Sequence, residues 1–141
     1  MLESLEEPVT FRIAIPPIEG VEDVPIAAVQ VLASKMGFSE DRVQDIVQAL
    51  TEACVNSILY SVSDADIEVM AKAEPKVLMV EVSDRGPGFD PDSVQSPDFE
   101  TMVEIGVKSG GFGIHMIKAL VDKVEIESSP EGTTIRMYAF L

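Results

Sequence analysis

Three short segments of the sequence combine residue types that functional sites use, at residues 52–56, 84–88 and 110–113. In the first, Glu52 and Asn56 are four positions apart, so on a helix the carboxylate and the amide can meet on one side. The second is an Asp-x-Gly-x-Gly sequence after an apolar stretch, and the third is rich in glycine. Taken singly, each has an ordinary explanation, namely a solvated helix face, a turn and a flexible joint.

The chemistry open to these segments is narrowed by what the sequence lacks. It contains no G-x-x-x-x-G-K-[ST] sequence, which excludes the P-loop class. The glycines at residues 110–113 do not complete a dinucleotide-binding fingerprint, and no strand precedes them. The one histidine, His115, lies on a predicted helix, so no Ser-His-Asp triad is expected. The one cysteine, Cys54, excludes an intramolecular disulfide and a multi-cysteine zinc site.

A predicted helix positions the first segment. Its apolar residues recur at three- and four-residue steps and form one stripe, which consists of Val43, Ile46, Val47, Leu50, Cys54 and Ile58. Ser39 is placed to cap the start of this helix. Glu52 and Asn56 lie on another surface of the helix, and the spacing alone favours a solvated face.

The rest of the pattern predicts an α/β sandwich with the order β-α-α-β-β-lid-α-β-β. Strands are predicted over Val9–Ile15, 65–73, 76–83, 124–128 and 133–140, and helices over 21–36, from Ser39 onward and after Gly113. Residues 90–108 show no clear periodicity, which is typical of a functional lid, with a candidate helix at 99–103. We therefore expect one domain over residues 1–141, an α+β two-layer sandwich with a mixed, mostly antiparallel sheet and a flexible lid near residues 90–110.

The composition restricts the partners. The 141 residues include 25 acidic and 10 basic side chains, for a net charge of −15. A surface this negative repels phosphate backbones, so no direct binding of nucleic acid is expected, and an anionic ligand needs local positive potential in its pocket. The acidic N-terminal residues lack the features of a signal peptide, and no apolar run is long enough for a membrane span, which predicts a cytoplasmic protein without membrane contact.

In this order and on these elements, the three segments together resemble the N, G1 and G2 boxes of the GHKL superfamily, the ATP-binding fold of gyrase, Hsp90, histidine kinases and MutL. The Glu-Ala-x-x-Asn form of residues 52–56 and the short length are most similar to the anti-sigma-factor serine kinases of the RsbW and SpoIIAB type. The resemblance covers essentially the whole chain. It implies the Bergerat fold, with ATP and Mg²⁺ as cofactors.

The resemblance assigns roles in phosphoryl transfer to the N box. Asn56 matches the asparagine that gives a side-chain oxygen to Mg²⁺, which needs few protein ligands because it keeps waters and shares the phosphates. Glu52 matches the acid one turn earlier, placed as general base for an attacking hydroxyl. Lys108 could contact the γ-phosphate, although Ser109 aligns with the position where these kinases tend to have arginine, and Tyr60 stands where they more often have histidine.

The other two boxes are implied to hold the nucleotide. Asp84 matches the aspartate that accepts a hydrogen bond from the adenine amino group, which would disfavour guanine. Gly86 and Gly88 would let the backbone approach the base. At the late G-T position, the hydroxyl of either Thr133 or Thr134 could touch the adenine side of the pocket. The resemblance places Gly110, Gly111 and Gly113 at the phosphates. The positive end of the helix that follows them would also face the phosphates.

The function implied by the resemblance is an ATP- and Mg²⁺-dependent protein serine kinase that sequesters a sigma factor. The expected partners are that sigma factor, a STAS-domain antagonist (an anti-anti-sigma protein) that the kinase phosphorylates, and a second copy in a homodimer. Two alternatives stay open: a non-catalytic ATP-responsive module that regulates a protein partner, and an interaction domain that has lost ATP binding. Glu52 argues against the module, and the absence of arginine at position 109 argues for it.

Overall fold

The helices and strands follow the predicted order. A computed structural model describes residues 7–60, 64–87 and 110–141. The elements are β1 (Val9–Ile15), α1 (Asp23–Met36), α2 (Glu40–Tyr60), β2 (Ile67–Glu74), β3 (Val77–Asp84), α3 (Gly110–Leu120), β4 (Lys123–Ser129) and β5 (Gly132–Phe140). The predicted lid at residues 90–108, with its candidate helix at 99–103, lies outside the described residues.

The strands form one sheet in the order β1-β2-β3-β5-β4, and all four neighbouring pairs are antiparallel. Hairpins join β2 to β3 and β4 to β5. Because β5 also pairs with β3, it lies between β3 and β4. β4 runs in the same direction as β3, but β5 separates the two, so no parallel pair forms in the part of the chain that the structure describes. The predicted sandwich is confirmed, with one correction: the sheet is antiparallel rather than mixed.

The sheet buries one face under the helices. Along β2, β3 and β5 buried residues alternate with more exposed ones, as the two-residue period of a strand requires. α2 contacts β3 and supplies the apolar stripe that its sequence predicts. Its buried stripe residues are Val43, Ile46, Leu50 and Cys54. This burial sets the rotation of α2 about its axis, and therefore which of its polar residues face away from the core.

Local signals set the ends of the helices. Gly37 adopts a φ of 99°, a left-handed conformation that costs glycine little, and ends α1 where predicted. The Ser39 hydroxyl accepts the Arg42 N–H at 3.2 Å, which confirms the predicted cap of α2. α1 begins at Asp23, slightly later than predicted, because the residues before it form turns. Within the described ranges, no helix combines the length and the apolar character needed to cross a membrane.

The other face of the sheet carries charged and amphipathic side chains. Arg136 on β5 lies 2.7 Å from Glu81 and 3.6 Å from Glu127. Nearby, a hydrogen bond between Tyr138 and Glu125 raises the pKa of the tyrosine and lowers the pKa of the glutamate. These side chains stay partly exposed, so among the described elements the helices cover one side of the sheet and the charged network covers the other.

Cys54 is enclosed in the core with none of its surface exposed. Burial, with the nearby negative charge of Glu22, raises the pKa of its thiol from 9.0 to about 12. Because the thiolate is the reactive form, we expect iodoacetamide to alkylate the native protein at least about 1000-fold more slowly than the chain unfolded in guanidinium chloride. Mass spectrometry of timed samples at mildly alkaline pH measures both rates. Equal rates would contradict the burial of Cys54.

Candidate functional site

Three elements bring sequence-distant polar residues together at one end of the sheet. Asp84 is the last residue of β3 and pairs in register with Thr133, near the start of β5. From α2, the buried hydroxyl of Ser57 donates to Asp84 Oδ2 at 2.9 Å. The end of β3, the start of β5 and the C-terminal half of α2 therefore form the centre of the candidate site.

Two protein donors fix the Asp84 carboxylate. Ser57 donates to Oδ2, and the backbone N–H of the buried Gly86 donates to Oδ1 at 2.9 Å. A carboxylate oxygen can accept more than one hydrogen bond, so each oxygen keeps capacity for a further donor. Since Asp84 is half-buried, the site presents an oriented acceptor that is still within reach of a ligand.

Ser57 was not predicted as a site residue. It follows Asn56 directly and lies three positions after Cys54, so it continues the buried side of α2. A polar side chain in an apolar stripe needs a partner when buried, and that requirement is the signal in the sequence that could have identified it. Its partner, Asp84, could be named only once the fold had placed β3 beside α2.

The two threonines of the predicted G-T position face opposite sides of the sheet. Thr133 is buried on the face that carries the helices, with its hydroxyl 2.7 Å from that of Ser128. Thr134 turns to the other face, where its hydroxyl is 3.0 Å from that of Ser83. Because paired residues of neighbouring strands share a face, the structure brings Thr133 beside Asp84 and places Thr134 away from it.

Gly132 permits the close approach of β5 to the end of β3. A Cβ on Gly132 would lie 2.2 Å from the backbone carbonyl oxygen of Asp84. We expect Gly132→Ala to lower the free energy of unfolding by about 3 kcal/mol, because only a shift of the strands relieves the clash. Denaturant unfolding measures the loss. Gly113→Ala is the control, since its Cβ would make an ordinary 3.5 Å contact with Glu52 Oε2. Equal unfolding midpoints for both variants would contradict the close approach.

Glu52 lies against the first turn of α3. Its Oε2 is 3.5 Å from the point that a Cβ on Gly113 would occupy, and Gly110 and Gly111 belong to the same turn. The first N–H groups of a helix have no partner within it and create positive potential. Asn56 follows Glu52 by one turn of α2 and is half-buried like Glu52. A carboxylate, an amide and a helix N-terminus therefore share one region. Of the predicted site residues, Gly88 and Lys108 lie outside the described ranges.

The sequence matches a known domain family and curated proteins that include several serine-protein kinases. Residues 21–139 match the histidine kinase-like ATPase domain. Serine-protein kinase RsbW of Bacillus velezensis is 29% identical over 116 residues, which cover 78% of this chain and 72% of the relative. Serine-protein kinase RsbW of Halalkalibacterium halodurans is 26% identical over 143 residues, which cover 97% of this chain and 86% of the relative.

Solved structures share the fold. A crystal structure of the RsbU and RsbW domains of a Mycobacterium tuberculosis protein superposes with a TM-score of 0.69 at 20% identity, covering 93% of this chain and 32% of that longer chain. The histidine kinase domain of a blue-light activated histidine kinase from Erythrobacter litoralis gives a TM-score of 0.53 at 16% identity, covering 98% of this chain and 70% of that one. Because the family match spans most of the sequence, from residue 21 to residue 139, this chain belongs to the histidine kinase-like ATPase domain family.

Proposed function

We propose that the protein is an ATP- and Mg²⁺-dependent serine kinase that acts as an anti-sigma factor. The observation that carries the proposal is the Asp84 carboxylate, fixed by Ser57 and Gly86 where α2, β3 and β5 meet. An ionised carboxylate offers acceptors and no donor, which suits a base with an exocyclic amino group. Family membership supports ATP as the ligand, and the RsbW relatives support kinase activity.

The residues around Asp84 fit an adenine ring. Asp84 accepts the amino group through its remaining capacity, and the buried backbone at Gly86 leaves no side chain in the way. Thr133 shares the face of Asp84 and offers a hydroxyl, so we assign the late G-T role to it rather than to Thr134. Gly88, two residues beyond Gly86, completes the proposed base-binding segment.

The first turn of α3 fits the phosphates. Its N–H groups, at Gly110, Gly111 and Gly113, bind phosphate oxygens in a protein whose net charge otherwise repels them. We assign Lys108 to the γ-phosphate. The Asn56 side-chain oxygen is the hard ligand that would hold Mg²⁺, and bound Mg²⁺ would neutralise part of the charge on the phosphates during transfer.

Glu52 is the proposed catalytic residue. Its carboxylate, next to the first turn of α3, accepts the proton of a serine hydroxyl on the protein substrate. As that proton leaves, the serine oxygen forms a bond to the γ-phosphorus, the bond from this phosphorus to the bridging oxygen breaks, and ADP departs. α2 orients the carboxylate, because the buried stripe holds the rotation of the helix.

The partners follow from the same assignment. We propose that the substrate is a STAS-domain antagonist and that the sequestered protein is a sigma factor, as RsbW-type relatives suggest. A net charge of −15 favours association with a basic surface and speeds the encounter. In this proposal the protein is a cytoplasmic homodimer, and residues 1–141 form one ATP-binding domain in each copy.

Ser109 favours a second candidate function. Where these kinases tend to have arginine, this chain has serine beside Lys108, and lysine is a point charge rather than a bidentate fork. A module that binds ATP and changes its affinity for a protein partner, without phosphoryl transfer, needs no such arginine.

Three measurements test the proposal and separate the candidates. Calorimetry with Mg²⁺-ATP is expected to show binding, and label from γ-labelled ATP is expected to move to a cognate STAS-domain protein. Asn56→Ala is expected to keep ATP binding without Mg²⁺ and to lose the gain that Mg²⁺ gives. Binding without transfer to any cognate antagonist would favour the module. A melting temperature unmoved by saturating Mg²⁺-ATP would overturn both candidates.

A further inference from the structure

Arg42 joins the start of α2 to the end of α3. Its Nη1 donates to the carbonyl oxygen of Leu120, the last residue of α3, at 2.8 Å, and its Nη2 bonds to the carboxylate of Asp122. Asp45, one turn later on α2, lies 3.6 Å from the same guanidinium. The last carbonyls of a helix have no donor within it, so Arg42 supplies what the end of α3 lacks.

Asp122 connects this contact to the sheet. The carboxylate oxygen that binds Arg42 also accepts the N–H of Phe140 at 2.7 Å, and the N–H of Asp122 donates to the carbonyl of Tyr138 at 2.9 Å. Phe140 and Tyr138 both belong to β5. The Arg42–Asp122 pair therefore ties α2, the end of α3 and β5 together.

α2 and α3 run antiparallel and meet at two separate places. Arg42, near the N-terminus of α2, holds the C-terminal end of α3, while Glu52 lies against the first turn of α3 at Gly113. At 1.5 Å per residue, the two places are about 15 Å apart along α2. The buried Ile114 and Ile117 anchor the middle of α3 in the core. The contact at Arg42 adds hydrogen bonds of defined direction at the C-terminal end of α3.

We propose that Arg42 is a positioning residue that keeps the first turn of α3 opposite Glu52. The inference rests on the proposed function, which places that turn at the phosphates. Arg42 does not touch the nucleotide and acts by holding the other end of the helix. A guanidinium suits this task because its planar fork reaches a carbonyl and a carboxylate at fixed angles, which a lysine ammonium does not.

The test compares Arg42→Met with Arg136→Met. Arg136 is a matched control because its side chain is 24% exposed, against 25% for Arg42, and its ion pair with Glu81 lies on the face of the sheet away from the helices. The readouts are amide hydrogen exchange of α3 in the nucleotide-free protein and the affinities for Mg²⁺-ATP and adenosine. Arg42→Lys, which keeps the charge and the aliphatic stem, provides a milder variant.

For Arg42→Met we expect exchange in α3 to rise and Mg²⁺-ATP binding to weaken, each by at least about tenfold, because the charge-assisted hydrogen bonds to Leu120 and Asp122 are lost. Adenosine affinity is expected to stay unchanged, because Asp84 is held by Ser57 and Gly86 and not by α3. Arg42→Lys should lie between wild type and Arg42→Met, and Arg136→Met should match wild type in all three readouts.

Equal losses of ATP and adenosine affinity in Arg42→Met would overturn the proposal, as would the same change in α3 exchange for Arg136→Met. If the wild type binds neither ligand, the proposed function fails, and hydrogen exchange then decides about Arg42 alone. Faster exchange of α3 in Arg42→Met only would still support the positioning of α3, and unchanged exchange would refute it.

Discussion

Glu52→Gln is expected to slow phosphoryl transfer to a protein serine at least about 100-fold, because an amide cannot take up the proton of the attacking hydroxyl. Glutamine has nearly the same shape, and the half-buried position beside α3 can hold it, so the fold and Mg²⁺-ATP binding are expected to survive. Single-turnover transfer from labelled ATP measures the rate, and calorimetry measures the binding.

The control for this variant is Glu127→Gln, since Glu127 is an exposed glutamate on β4 that pairs with Arg136 outside the site. It is expected to transfer label at the wild-type rate. Near-normal transfer by Glu52→Gln would refute the general-base role. Loss of ATP binding together with transfer would assign Glu52 to the pocket rather than to the proton.

Asp84→Asn is expected to weaken ATP binding by a factor on the order of 10 to 100, which corresponds to one hydrogen bond to a charged group. The Gly86 N–H can only donate, whereas the Ser57 hydroxyl can also accept. The asparagine therefore turns its oxygen toward Gly86 and its amino group toward Ser57. The amino group of the asparagine then faces the amino group of adenine, so two donors oppose each other. The preference for ATP over GTP is therefore expected to fall.

Ser83→Ala is the matched control for Asp84→Asn. Ser83 is adjacent in β3 but bonds to Thr134 on the opposite face of the sheet. Calorimetry with ATP and GTP is expected to give wild-type values for Ser83→Ala. An Asp84→Asn variant with unchanged affinity and unchanged base preference would remove the central support for an adenine site.

Local patterns were sufficient to predict most of the fold. The three- and four-residue steps on α2, the Ser39 cap and the Gly37 end depend on short-range geometry, so they are readable from the sequence alone. The order of strands depends on which edges meet after the chain has collapsed. Nothing in the residues of β5 states that it lies between β3 and β4, and for that reason the antiparallel character of the whole sheet was not predicted.

The candidate site, too, was predictable only where local spacing determines it. Helical spacing predicted that Glu52 and Asn56 share a side of α2, and the glycines of α3 were identified by their pattern. The hydrogen bond from Ser57 to Asp84 joins two elements and required the fold. Thr133 could have been chosen over Thr134 beforehand, because the buried alternation of β5 through Ile135, Met137 and Ala139 puts position 133 on the inner face.

The interior position of β5 also affects how the protein folds during synthesis. A ribosome releases β4 before β5, and within the described sheet β4 pairs with β5 alone. While β5 is still in the exit tunnel, β3 has an open edge and Asp84 lacks Thr133 beside it. On the proposed function, we expect the nascent chain to bind ATP only after β5 has emerged, because closure of the sheet and completion of the pocket then happen together.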